Sequence, residues 1–460
     1  MSFTSAAFLG FLGGVALLHA LLPRVARAPL LLIASYAFYA LYSGYYALLL
    51  LASTLVAFLA GRVRSAALAG VALLIAALVL FKALPILGVG ALIPLGISYY
   101  TFKLSAYLID RHWGAVESEG RLVPFLTFTA FFPQIVGGPI QRAPDFLPQL
   151  AAGSRVSPDL ALKAVMRICL GFFKKFVVAD NLAPIVNYVY AHLGAHPGAP
   201  VLLGFYGYPL QMYADFSGLT DIALGAGALV GIIGPENFAA PFAAPSPSEY
   251  WRRWHMSLTT WMVDYVFTPL RMALRRFGNA GLVASLFINM ILIGLWHGFY
   301  LTFALFGVVH ACYMTIDALT QKARKRLYKR HPSLDRLTDV LGPLITFHLI
   351  AVAFVFFRAD SVATVGAFFA HLTAGLEPLA PAFHYIIDQP GSSIGVLGAA
   401  LVLMEAGDWV RRRFWSVPLP GLPRWGRWSL VAATGLSILL TAALLMTSSS
   451  ESNPFLYAIF

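Results

Sequence analysis

The chain has 460 residues, of which 59% are hydrophobic and only 11% are charged, and its mean hydropathy is +0.76. Soluble domains carry about 25% charged residues, so this composition excludes a water-soluble fold. The net charge of +12 would also suit a nucleic-acid-binding protein. However, the basic residues cluster in short stretches between apolar runs, which is the pattern of cytoplasmic loops in membrane proteins. We therefore expect membrane lipid, and no nucleic acid, as a partner.

Apolar runs of suitable length for membrane spans recur along the whole chain. The predicted spans are 5–22, 29–43, 45–60, 66–82, 279–297, 300–318, 339–357, 393–407 and 428–447. With further segments between them, about eleven membrane segments are expected. The predicted fold class is an all-α polytopic membrane protein, with residues 1–460 forming a single membrane-embedded domain.

Three basic stretches set the predicted orientation of these spans. They are residues 271–277, 321–336 and 411–414, and the positive-inside pattern places all three in the cytoplasm. Contact with anionic lipid is the expected role of their charges.

Two segments contain too many helix-breaking residues for a regular span. Residues 82–114 hold two prolines and three glycines in their first half, and residues 131–150 contain Gly137-Gly138-Pro139. Irregular backbone at membrane depth survives only where protein or water covers it. Both segments are therefore predicted to be re-entrant or to line a cavity.

Charged residues inside apolar runs are costly and should be paired. Asp215 and Asp221 lie in the apolar stretch 206–231, so we expect both to face the interior as part of a buried polar network. Lys103 and Asp110 are separated by two helical turns and could pair with each other.

The end of the proline-rich loop 235–261 predicts a helix. Ser246 is a good N-cap, Pro247 suits the first helical position, and Glu249 completes a capping box. From there five residues share one face of a continuous helix. They are Trp251, Trp254, His255, Leu258 and Met262.

The string Trp296-His297-Gly298 places a histidine inside an apolar run. A neutral imidazole there can act as general base, taking the proton of a hydroxyl that attacks an acyl carbonyl. A donor for the developing oxyanion could come from His255 or from an indole N–H. Hydrogen bonding between neighbouring helices is an equally weighted role for His255 and His297. For His310 and His348 helix packing is the favoured interpretation.

Six strings, taken in order, resemble one family. They are "PLGISYYTF" (94–102), "FFPQIVGGPIQRAPDFLPQL" (131–150), "YADFSGLTDIALG" (213–225), "WRRWHMSLTTWMVDYVFTPL" (251–270), "GLWHG" (294–298) and "FFRADS" (356–361). The chain resembles the bacterial branch of the membrane-bound O-acyltransferases. Within it, the alginate-acetylating type is the nearer likeness and the type that transfers D-alanine to teichoic acids the more distant one.

The resemblance implies a ring of tilted transmembrane helices around a central tunnel. It implies that His297 is the catalytic histidine and His255 a second one. Trp296 would wall the tunnel, Gly298 would let a substrate or partner chain approach closely, and Trp251 and Trp254 would line it.

The same resemblance implies an acyl donor on the cytoplasmic side, such as acetyl-CoA or an acyl-carrier thioester, and an acceptor on the far side of a bacterial inner membrane. A cytoplasmic acyl-carrier protein and a periplasmic acyltransferase are the expected partners. No tightly bound cofactor is expected, and no metal, because Cys169 and Cys312 lie outside any Cys-x-x-Cys motif.

Three functions remain open on the sequence. The preferred one is acetyl transfer to an exopolysaccharide such as alginate, with peptidoglycan, cellulose or a partner protein as other acceptors. D-alanyl transfer to a teichoic-acid-like polymer is the runner-up. The third is a non-enzymatic exporter of a glycan or lipid, because broken helices suit transporters as well.

Overall fold

The computed structural model describes residues 3–88, 93–194, 198–372, 394–414 and 455. Helices make up the regular structure of this part of the chain. The first nine are α1 (Ala6–Leu21), α2 (Arg24–Tyr42), α3 (Gly44–Arg62), α4 (Ala67–Ala83), α5 (Ile97–Trp113), α6 (Leu122–Ala130), α7 (Phe132–Ile135), α8 (Ala143–Ala152) and α9 (Pro158–Phe173). The others are α10 (Asp180–Ala191), α11 (Ala199–Leu229), α12 (Pro247–Arg253), α13 (Met256–Met262), α14 (Thr268–Ala273), α15 (Gly278–His297), α16 (Leu301–Arg330), α17 (Pro332–Arg358), α18 (Val362–Leu372) and α19 (Ile394–Phe414).

Five helical segments within the described residues are long and apolar enough to cross a membrane. They are Arg24–Leu41, Gly44–Arg62, Arg275–His297, Leu301–Arg330 and Pro332–Arg358. The prediction of an all-α, multi-pass membrane protein is thereby confirmed. The predicted span 428–447 lies outside the described residues, and the total of about eleven segments stays a prediction.

The basic stretch 321–336 is helical, where the sequence pattern predicts a loop. Helix α16 continues to Arg330 and α17 begins at Pro332, so both helices run past their apolar portions. The 30 residues of α16 correspond to roughly 45 Å at 1.5 Å per residue, which exceeds the roughly 30 Å hydrocarbon core of a bilayer. Tyr328 and Thr338 join the two extensions through a 3.2 Å hydrogen bond between their hydroxyls.

The described chain forms two compact units. Within the described residues, the first comprises 3–88, 93–176, 216–236, 406–414 and 455, and the second comprises 177–194, 198–215, 237–372 and 394–405. In the first unit, α5 is buried along its whole first half, from Ile97 to Leu108. An all-round buried helix needs apolar or paired side chains on every face, as its sequence provides.

The two predicted breaks in the first unit are confirmed. Between α4 and α5 the backbone of Gly96 is left-handed, with φ 68°, and a Cβ there would lie 1.9 Å from the carbonyl oxygen of Ile135. Glycine is therefore required at this contact. The segment 131–142 likewise yields only the four-residue helix α7.

The predicted pairing of Lys103 with Asp110 is wrong. The Lys103 ammonium donates to the carbonyl oxygen of Phe128 at 2.6 Å and lies 4.5 Å from the centroid of the Phe128 ring. A carbonyl and an aromatic face within reach satisfy the buried cation better than a carboxylate two helical turns away.

Asp221 is paired in a buried ionic network of the first unit, as the sequence predicts. Its carboxylate accepts from Arg167 at 2.9 Å and from Lys174 at 2.6 Å. Arg167 also binds Glu236, and Lys174 also binds Asp408 of α19 at 2.7 Å. Asp215 is buried in the second unit, so its predicted interior position is confirmed as well.

In the second unit, α15 and α16 form an antiparallel hairpin whose backbones touch. A Cβ on Gly294 would lie 2.1 Å from the carbonyl oxygen of Phe303, and one on Gly307 would lie 2.5 Å from that of Met290. Two glycines facing each other's helices therefore allow this close approach, as small residues do in membrane helix pairs. The hairpin turns at residues 298–300, directly after His297.

The orientation of the membrane spans can be tested at the exposed tip between α16 and α17. In a variant without native cysteines, Ser333→Cys should react with a membrane-permeant maleimide and stay unlabelled by an impermeant one in intact cells, because seven basic residues around it favour the cytoplasm. Lysed cells serve as the accessibility control. Labelling of intact cells by the impermeant reagent would reverse the topology.

The ionic network should matter for stability. Lys174→Met would leave the Asp221 and Asp408 carboxylates buried without this cation and should destabilise the protein by about 3–5 kcal/mol. Lys163→Met, which breaks only the more exposed pair with Asp159, should cost less than about 1 kcal/mol. Thermal unfolding in detergent compares them, and equal losses would contradict the expectation.

Candidate active site

Helix α12 begins as the sequence predicts but ends early. The Ser246 hydroxyl accepts a hydrogen bond from the Glu249 amide at 3.3 Å, and Pro247 is the first helical residue. The helix stops at Arg253, and His255 has a left-handed backbone with φ 44° and ψ 51°. The prediction of one continuous helix over 251–262 is therefore wrong, and its five residues do not share one helical face.

Asn237 explains the break. Its backbone carbonyl accepts from the Met256 amide at 2.9 Å, and its side-chain oxygen accepts from the Ser257 amide at 3.1 Å. These are the first two amides of α13, which lack partners within their own helix. Asn237 thus caps α13 from a distant loop, and the left-handed turn at His255 lets the new helix start there.

The same side-chain oxygen holds His255. Nδ1 of the imidazole lies 3.2 Å from Oδ1 of Asn237, and the Ser257 hydroxyl donates to that oxygen at 2.9 Å. His255 and Asn237 are both buried. His255 lies outside the five helical segments that are long and apolar enough to cross a membrane. Burial lowers its pKa to about 3, so the ring is neutral at physiological pH.

His297 is the last residue of α15 and is 7% exposed. Its ring packs edge to face with Phe357 of α17 at 4.8 Å between centroids and lies 6.2 Å from Phe303 of α16. Phe303 also explains Gly298, because a Cβ on that glycine would lie 2.9 Å from the Phe303 ring. The approach of a substrate or partner chain at Gly298 stays a prediction.

Trp296 lies against both candidate histidines. Its ring centroid is 4.8 Å from that of His297 and 5.8 Å from that of His255. Two histidines that are distant in the sequence therefore meet at one indole. The break before α13 and the hairpin of α15 and α16 bring them there.

Trp251 on α12 and Trp254, directly after α12, belong to a neighbouring aromatic cluster with residues of α16 and α17. The Trp251 indole N–H donates to Nδ1 of His310 at 3.2 Å, which gives His310 the packing role expected from the sequence. Trp254 stacks with Tyr250 at 5.6 Å. A tunnel-lining role for the two tryptophans stays a prediction.

The cluster continues to His297. The ring of Phe306 packs against His310 at 4.5 Å and against Phe357 at 5.2 Å, and Phe357 contacts His297. Aromatic side chains with few polar atoms thus surround one side of the candidate site. Such surroundings strengthen electrostatic interactions with any charge that develops there.

Asn237 and Phe357 are the site residues that the sequence did not reveal. Asn237 lies 18 residues before His255, in a proline-rich loop without periodicity. The "PENF" string around it carried no signal of its own. Phe357 is in the string "FFRADS", which indicates the family but gives no role to this side chain.

Comparison with known proteins shows that His255 and His297 both lie in the part of the chain that matches a family model. Residues 119–332 match the family model of the membrane-bound O-acyltransferases (MBOAT). The chain is 36% identical to the "probable alginate O-acetylase" of Pseudomonas aeruginosa over 279 residues, which cover 59% of this chain and 50% of that protein.

Two further relatives carry other acyl-transfer names. Over 280 residues the chain is 34% identical to the teichoic acid D-alanyltransferase of Bacillus subtilis, with 57% of this chain and 68% of that protein covered. The identity to the peptidoglycan O-acetyltransferase of Helicobacter pylori is 28% over 302 residues, with 59% and 55% covered. The chain spans about half the length of the alginate relatives that it matches.

The glycine contact beneath His297 can be tested directly. Gly294→Ala adds a methyl group against the Phe303 backbone and should destabilise the protein by about 1–3 kcal/mol, since backbone cannot move aside cheaply. Gly366→Ala is the matched control, because nothing lies within 4 Å of a Cβ there. Unfolding temperatures in detergent would show the difference. A Gly294→Ala protein as stable as the control would contradict the close crossing.

Proposed function

Because the chain belongs to the membrane-bound O-acyltransferase family, we propose that it transfers an acyl group, preferably acetyl, to a hydroxyl of a cell-envelope polysaccharide or of a partner protein. One observation carries the proposal. Two buried histidines that are far apart in the sequence contact the same indole. Histidine is the side chain that most often transfers a proton to or from a reacting group, so this pair supports such chemistry.

His297 is the general base of the proposed reaction. Its imidazole takes the hydroxyl proton while the oxygen attacks the acyl carbonyl, and the proton then passes to the departing thiolate of a thioester donor. The products are the acyl ester and a thiol. His297 is the last residue of α15, so its imidazole lies at the end of the helix next to the turn that leads into α16.

The aromatic surroundings support acyl transfer in a second way. Attack on the carbonyl creates an oxyanion that needs a hydrogen-bond donor and little competing water. The indole of Trp296 carries an N–H and contacts the His297 ring, so it is the proposed donor. The rings of Phe303 and Phe357 on the other sides of His297 limit water.

The donor and the partners follow from the proposed orientation in the bacterial inner membrane. Acetyl-CoA or an acyl-carrier thioester would reach the site from the cytoplasm, the side on which the basic extension of α16 is placed. An acyl-carrier protein would then be a cytoplasmic partner. A periplasmic acyltransferase would complete transfer to the polymer.

D-alanyl transfer to a teichoic-acid-like polymer is the second candidate. The chain is 34% identical to the Bacillus subtilis D-alanyltransferase, and the matched region covers 68% of that protein, which favours this candidate. The same histidines would serve both acyl groups. Family membership favours either transfer over the export of a glycan or lipid.

Replacing His297 tests the proposed chemistry. His297→Ala should lower acyl transfer about 10²–10⁴-fold, the usual contribution of a general base, while the protein remains in the membrane. Ester-linked acetate and D-alanine on isolated envelope polymers would be measured together with membrane levels of each variant. Which of the two esters disappears identifies the acyl group.

His348→Ala is the matched control for this experiment. His348 is exposed on α17, its Nδ1 lies 2.7 Å from the carbonyl oxygen of Leu344, and its ring packs edge to face against Tyr206, away from the candidate site. His310 is unsuitable because it binds Trp251. Normal acylation by a stably inserted His297→Ala protein would refute the mechanism and favour a transport role.

A further inference from the structure

We infer that Asn237 is a positioning residue that fixes the neutral His255 ring with its proton on Nδ1, so that Nε2 faces the site as a hydrogen-bond acceptor. This inference rests on the proposed function for its catalytic meaning. The assignment of the His255 proton itself rests on the contacts of one atom, the side-chain oxygen of Asn237.

The orientation of the Asn237 amide is determined by its backbone neighbour. A backbone N–H can only donate, and the amide of Ser257 lies 3.1 Å from the side-chain atom of Asn237. That atom must therefore be the carbonyl oxygen Oδ1, because the amide nitrogen would place two donors face to face.

The orientation of the amide then decides the tautomer of His255. Nδ1 lies 3.2 Å from the same Oδ1, which can only accept. A bare Nδ1 would set two lone pairs against each other, so Nδ1 carries the proton and donates it. Because burial lowers the pKa of His255 to about 3, the ring holds one proton, and Nε2 keeps its lone pair.

This tautomer changes the role of His255. A neutral ring with a bare Nε2 cannot donate to an oxyanion, which excludes the donor role that the sequence left open for His255. It can accept the hydrogen bond of an incoming hydroxyl and orient it toward His297. Both imidazole rings contact the Trp296 indole edge to face, at 5.8 Å for His255 and 4.8 Å for His297 between centroids, so we assign them to one site.

The tautomer can be read without substrate. Carbon and nitrogen NMR spectra of histidine-labelled protein distinguish Nδ1–H from Nε2–H rings, and a His255→Gln variant identifies the signal. The wild type should show His255 as the Nδ1–H form between pH 5 and pH 8. In Asn237→Leu, the Nε2–H form should appear instead.

Kinetics test the positioning role. Asn237→Leu should lower kcat about 10²-fold or more with little change in KM, because the ring then presents the wrong nitrogen. Asn237→Asp retains an acceptor at the same place and should restore most of kcat. Position 237 would then carry a carboxylate, which raises the pKa of His255 by favouring its charged form. When the pH is lowered, this variant should therefore lose activity earlier, at a higher pH, than the wild type does.

Ser257→Ala is the matched control, because it removes one donor to the same oxygen and leaves His255 in contact with it. It should keep the Nδ1–H signal. If Asn237→Leu does not fold, the shifted pH profile of Asn237→Asp decides the question, and an unchanged profile overturns the inference. An Nε2–H signal in the wild type overturns it independently of whether acyl transfer is found.

Discussion

The arrangement of the candidate site depends on one buried carbonyl oxygen, Oδ1 of Asn237. It accepts from the amide and hydroxyl of Ser257 and holds His255. A left-handed non-glycine residue costs of order 1–3 kcal/mol, and caps at a helix start are worth about 1 kcal/mol each. Asn237 supplies two such caps, so the unfavourable backbone at His255 is offset where it is needed. The same oxygen atom therefore fixes both the orientation of the His255 ring and the start of α13.

How far the sequence could predict this structure depends on the range of the interactions. The start of α12 at Ser246, the end of α15 at His297 and the pairing of Asp221 follow from local or strongly polar signals, and all three appear in the structure. The break at His255 could not be predicted, because neither glycine nor proline marks it. It is produced by an asparagine that is brought near only by the fold.

The extension of α16 illustrates a second limit. Hydropathy shows where a helix leaves the apolar layer but not where the helix ends, since lysine, arginine and leucine are all good helix formers. Residues 321–330 therefore continue the helix in water, where their charges favour solvent. For the two histidines, the sequence predicted the residues but not their contact. Their positions on α15 and before α13 were visible in the sequence, whereas the indole that joins them required tertiary structure.

Buried polar groups are satisfied differently in the two units. In the first, Arg167 and Lys174 form direct ion pairs with the buried Asp221 and Asp408 and with the more exposed Glu236. In the second, the candidate site uses neutral amide, hydroxyl and imidazole groups. Glycine at the contact between α15 and α16 adds a mechanical consequence. Because the backbones of α15 and α16 touch, these helices cannot slide past each other without a clash. The hairpin is therefore rigid and holds His297 in a fixed position. Rotation of the Phe303 and Phe357 rings, which contact that imidazole, would change its exposure without any sliding of α15 against α16.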